Sequence, residues 1–232
     1  MATKKEFGEG AIFTITNYIW WFLLANLYFG IMNIPFIFVF FGSSLQGASG
    51  LNLLLVLSLI PSGPALVALL STMGKIVREK DADVTRDFFK AYKRNFFESL
   101  FYWSGILIVL SILYIDILYF NAKPQLIFLK YALAGIGLIV ISTAFFMLAI
   151  ISRFYLKVKD VIKISLYYAV KKIHITILNW GLLIGLFVIL MKVSNAIFIL
   201  MGWSIFAFLI MLNMKSVLVE IEEKYVKVEN DI

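Results

Sequence analysis

No cysteine occurs in the 232 residues, and histidine occurs once, at His174. These two absences exclude a disulfide framework, a thiol nucleophile and any metal site assembled from Cys and His. A carboxylate-bound metal would need clustered acids, yet the Asp and Glu residues lie almost wholly in the segments between apolar runs. No phosphate-cradling glycine loop, Ser/His/Asp set or pair of catalytic carboxylates can be assembled from what remains. We therefore expect neither an enzyme nor a cofactor. A relay of ionisable groups inside the apolar runs, such as a proton-driven pump uses, is also lacking.

What the chain has in abundance is apolar surface. Hydrophobic residues make up 62% of the sequence, and the mean hydropathy is +0.95, well beyond an ordinary soluble domain. A bilayer core of roughly 30 Å needs about 20 apolar residues of helix. Six runs meet that length: 18–41, 51–74, 100–120, 131–152, 173–191 and 197–214. The first run is too long for a signal-peptide core and lacks a small-x-small cleavage pattern, so a retained span is expected. The fold class is thus an all-α integral membrane protein, one domain over 1–232 with six transmembrane helices.

Charge sets the orientation. All the Lys and Arg residues except Lys123, Lys130 and Lys192 fall at the termini or in the two long connections, 75–99 and 153–172. The positive-inside rule makes that side cytoplasmic, with both termini on it, and the cell membrane the expected location. Basic loops facing anionic headgroups account for the net charge of +7, so no nucleic-acid partner is implied. The opposite connections are too short for an external domain.

The two basic connections echo each other. "DVTRDFFKAYKRNFFESLFYW" (83–103) and "DVIKISLYYAVKKIHITILNW" (160–180) both open on Asp-Val and reach Trp twenty residues after the Asp. Their Ala-x-basic-basic cores, Ala91 to Arg94 and Ala169 to Lys172, are one residue out of register. Segments 83–98 and 158–172 read as amphipathic helices at the cytoplasmic interface. In the first, Val84, Phe88, Phe89, Tyr92, Phe96 and Phe97 form the apolar face, opposite Arg86, Asp87, Lys90, Lys93 and Arg94. In the second, Val158, Val161, Ile162, Leu166, Ala169 and Ile173 oppose Lys159, Asp160, Lys163 and Lys171. Any repeat is parallel, which argues against an inverted-repeat carrier.

Proline is scarce, with four residues in all, and two of them stand in "SLIPSGPALVALLSTMGK" (58–75), inside the second span. Pro61 and Pro64 each remove an N–H, freeing carbonyls near 57 and 60, so a kink is expected that neighbouring helices satisfy. Gly63 would admit another backbone closely. Asp116 is the one acid within a span, near its outer end, where the interface can solvate it. Asn26, Asn33, Asn52, Asn179, Ser142 and Thr143 are candidates for hydrogen bonds between helices, and Gly181 with Gly185 forms a GxxxG expected to pack within the molecule.

Gly63, Pro64 and Ala65 close an apolar run, and a basic segment with Phe88, Phe89, Asn95 and Phe96 in "RDFFKAYKRNFFES" follows. Over residues 60–100 this resembles the YesL-like proteins, small six-span membrane proteins of Gram-positive bacteria. The second basic segment departs from that pattern, lacking an asparagine before its alanine and an arginine before its threonine. The resemblance implies an auxiliary role beside the permease subunits of a carbohydrate ABC importer. Pro61, Gly63, Pro64, Phe88, Phe89 and Phe96 are then the candidate contact or kink residues, and Asp116, Asn26 and Asn33 the candidate buried polar ones. A stand-alone carrier or channel and an assembly factor for membrane proteins are the alternatives.

Overall fold

The computed structural model describes residues 11–45, 53–192 and 195–226, and the described residues contain helix but no strand. In chain order the helices are α1 (Ala11–Met32), α2 (Ile34–Leu45), α3 (Leu53–Leu59), α4 (Ser62–Glu79), α5 (Val84–Arg94), α6 (Phe96–Asn121), α7 (Ile127–Ile151), α8 (Val158–Lys171), α9 (Ile173–Lys192) and α10 (Asn195–Ile221). A 3-10 turn, Pro124–Leu126, joins α6 to α7, and a π turn, Glu222–Val226, follows α10. Asn52 and part of the expected short links around residues 42–50 and 192–196 lie outside the described residues.

Five segments are long and apolar enough to cross a membrane: Phe13–Met32, Leu53–Glu79, Phe96–Asn121, Ile127–Ile151 and Leu200–Tyr225. A sixth is counted if α8 and α9, which meet at 92°, form one broken span. The single first span expected over 18–41 is interrupted at Asn33. Pro35 sits at the second position of α2, and a proline disfavours helical backbone just before it while removing a helix donor. The Asn33 side chain folds back on α1, its Nδ2 donating to the Phe29 carbonyl at 2.7 Å.

The helix α4 is the hub. It packs on α1, α5, α6, α7 and α10. Its small residues explain why it can: Ala65 and Ala68 are fully enclosed, and a Cβ on Gly74 would lie 2.6 Å from Met211 Cε on α10. Its own Val67, Leu69 and Met73, and Phe146, Ala149, Ala207 and Met214 of α7 and α10, are all at zero exposure. Small residues drive close approach of helices in lipid, where apolar burial gives no advantage by itself.

The echo in the sequence is an echo in structure. In each unit a long helix (α4, α7) is followed by a short amphipathic one (α5, α8), a one-residue interruption (Asn95, Lys172) and another long helix (α6, α9). Both interruptions fall twelve residues after the Asp and eight before the Trp. The Trp residues then do the same job. Trp103 Nε1 donates to the Leu59 carbonyl at 2.8 Å, and Trp180 Nε1 to Ser142 Oγ at 2.8 Å. The starts differ: Asp83 caps α5 by accepting from the Arg86 N–H at 3.1 Å, whereas Asp160 lies in the first turn of α8, inside the helix.

The short helices depart from their expected faces. On α8 the residues turned inward are Val161, Ile164, Ser165, Tyr168 and Ala169, while Val158, Ile162, Leu166 and Ile173 are exposed. An interfacial helix has two apolar neighbours, protein and lipid, and periodicity cannot apportion its wide apolar arc between them. On α5, Val84, Phe88 and Ala91 are buried, Phe89 is 40% exposed, and the first residues of α6 that continue it, Phe96 and Phe97, are half-buried and exposed.

Candidate functional site

The proline break in the second span is a hydrogen-bonded junction. Residues 60 and 61 form a turn between α3 and α4. The freed carbonyls at 57 and 60 are taken up locally, by the Ile60 N–H at 3.2 Å and the Gly63 N–H at 3.3 Å. The carbonyl that a neighbouring helix satisfies is Leu59, through Trp103. Gly63 admits a side chain and not a backbone, because an added Cβ would stand 2.4 Å from Trp103 Cβ. The same junction reaches the break in the first span, since the Ser62 hydroxyl donates to Asn33 Oδ1. Pro61, Gly63, Pro64 and Asn33 thus meet at one place, together with Trp103, which sequence reasoning marked only as part of the echo.

Asn26 lies elsewhere, its Oδ1 accepting from the backbone N–H groups of Trp203 at 3.1 Å and Ser204 at 3.3 Å, tying α1 to α10. Asn179 accepts from Asn213 Nδ2 at 2.8 Å between α9 and α10. Phe88 and Phe89 both pack on Tyr28 of α1, at centroid distances of 5.8 and 5.0 Å, and the Tyr28 hydroxyl bonds Thr85 Oγ1 at 2.8 Å. Phe96 stacks edge-on to Tyr92 at 5.5 Å. Asp116 stands apart, half-buried on α6, and makes no ion pair among the described residues. A Cβ on Gly181 or Gly185 would meet nothing within 4 Å, so the GxxxG faces open space and does not pack within the molecule.

A second feature was missed by the sequence reading. At the end of the bundle that carries the basic connections, α4, α5 and the chain just after α7 line a polar cavity of about 250 Å³ that is open to the surface on one side. Helix α4 contributes Ser71, Thr72, Lys75 and Arg78, and α5 contributes Asp87, Lys90 and Arg94. Ser152 and Arg153 close the third side. On the polar side of α5, Asp87 is half-buried against α4 through Lys75, while Lys90 and Arg94 line the cavity and stay exposed.

Its charges are unequally matched. Lys75 Nζ holds both oxygens of Asp87, at 2.8 and 3.0 Å, and Arg153 pairs with Glu222. Arg78, Lys90 and Arg94 form no ion pair among the described residues. Arg94 is held from behind, its Nε donating to Asn95 Oδ1 at 3.2 Å while its guanidinium stands 5.8 Å from the Tyr155 ring. The Thr72 hydroxyl donates to the Ala68 carbonyl of α4, and the Ser152 hydroxyl to the Ala149 carbonyl near the end of α7. These residues were legible only as topology signals, because the cavity is made by three segments meeting. Nearby, Glu220 of α10 gathers Lys171 at 3.0 Å, Lys172 at 3.4 Å and Lys224 at 2.9 Å.

Helices of this length and composition, in a bundle held by small residues and a few polar links, define a multi-pass, all-helical membrane protein. Residues 13–117, from α1 through most of α6, match the model of a family described as "Protein of unknown function, DUF624". No curated protein and no solved structure matches the chain.

Proposed function

We propose that the chain is a non-catalytic auxiliary subunit that sits beside the permease of a carbohydrate ABC importer in the cell membrane and supports its assembly or tunes its transport. In this reading the bundle has six spans, with both termini and the basic end cytoplasmic. The matched DUF624 region contains the residues whose pattern resembles the YesL-like proteins, and the importer partner rests on that resemblance. The observation that carries the auxiliary role is the contrast between interior and surface. Helix α4 is enclosed by fully buried side chains, whereas α6, 26 residues long, buries only Ser99, Tyr102, Ile106 and Leu113. Tight packing around α4 with wide apolar flanks on α6 favours contact with other helices and lipid over conduction.

Purification of the tagged full-length protein in mild detergent, with quantitative mass spectrometry, tests this. Two permease subunits, an ATPase and a solute-binding protein near equal stoichiometry are the expected result. A solitary protein that carries solute across liposomes on its own overturns it in favour of a carrier.

A further inference from the structure

We propose that the cavity between α4, α5 and the chain after α7 is a phosphate-binding site, with Arg78, Lys90 and Arg94 as its principal donors. Three observations converge. The first is excess charge: five cations line the space with one carboxylate, and the three ion pairs these cations form among the described residues, Lys75 with Asp87 and Glu79 and Arg153 with Glu222, engage Lys75 and Arg153 only. Like charges held this close repel one another, and an anion in their midst removes that repulsion.

The second is geometry. Arginine presents a planar fork of N–H donors that matches phosphate oxygens bidentately, while lysine supplies a point charge. The cavity draws on both kinds from different helices, Arg78 on α4, Lys90 and Arg94 on α5. Arg78 and Arg94 are exposed, yet each has a neighbour. A Cβ added at Gly74 would lie 3.3 Å from Arg78 Nη1, so that side chain runs back along its own helix, and Arg94 meets Asn95 Oδ1 and the Tyr155 ring. Contacts of this kind narrow the range such donors search.

The third is size and level. At about 250 Å³ the space falls below the roughly 300–1,000 Å³ of pockets for drug-sized ligands, which suits a headgroup-sized one. It opens where apolar helices give way to charged connections, the level of lipid phosphates in a bilayer. The shared chemistry is a phosphate mono- or diester. Its source is either an anionic phospholipid headgroup or a soluble phosphorylated molecule.

Full-length protein in phosphatidylcholine nanodiscs is titrated in one arm with phosphatidic acid and in the other with inorganic phosphate, against chloride at equal ionic strength. Thermal stability followed by tryptophan fluorescence is the readout. Stabilisation by the lipid alone assigns the headgroup, by inorganic phosphate alone the soluble ligand, and by neither overturns the proposal. The Arg78→Gln, Lys90→Gln, Arg94→Gln variant is expected to bind about a hundredfold more weakly, roughly fivefold per cation. Lys159→Gln with Lys163→Gln, on the exposed side of α8, is expected to change binding by less than about twofold. Equal losses in the two variants would show a diffuse surface effect and defeat the site. Should the triple variant fail to fold, Ser71→Cys in this cysteine-free chain reports occupancy directly. Alkylation there should slow several-fold with the effective ligand, and an unchanged rate would refute occupancy of the cavity.

Discussion

Gly63 shows how one residue can be fixed by another forty positions away. Its hydrogen faces the Trp103 side chain, and the indole N–H closes the Leu59 carbonyl beside the proline turn. Gly63→Ala forces the tryptophan out of place, and overpacking of this kind costs about 1–3 kcal/mol. A lowered melting temperature in detergent is the expected outcome. Trp103→Phe keeps an aromatic ring but loses the bond, worth about 0.6–1.7 kcal/mol, together with part of the indole's packing. A Gly63→Ala melt equal to the wild type would mean the junction is looser than its geometry. The break itself was legible from Pro61 and Pro64, because proline acts on its own backbone. Trp103 as its partner was not, since nothing local to either segment specifies the contact.

At the level of elements, the repeated unit was legible as spacing and misleading as faces. Asp, interruption and Trp keep one register through both units, while the inward side of α8 had to be settled by α7 and α9 packing against it. The same limit hid the cavity, because Arg78, Arg94 and Arg153 each look like an ordinary basic residue until three segments meet. Glu220 makes a test of how these elements are tied. It joins the end of α10 to the elbow between α8 and α9 through Lys171 and Lys172. These groups are partly exposed, so Glu220→Gln is expected to cost less than about 1 kcal/mol. The difference from wild type should shrink at high salt, which screens such pairs. A loss independent of salt would indicate packing instead of charge.

For the whole molecule, the absence of cysteine turns orientation into a clean experiment. Single substitutions Asp81→Cys and Lys159→Cys, at the basic end, are expected to resist a membrane-impermeant maleimide in intact cells and to react once the membrane is opened. Ala122→Cys, between α6 and the 3-10 turn, is expected to react in both. The reverse pattern would invert the proposed topology. The bundle below the two breaks is a single packed body, yet α2 and α3 lie beyond Asn33 and Pro61 and touch each other more than they touch α1 or α4. Phe38, Phe41, Leu45, Leu53 and Leu54 on this pair are all exposed. The pair is therefore expected to tilt with the thickness of the surrounding hydrocarbon more than the core does, standing more upright in thick bilayers and leaning in thin ones.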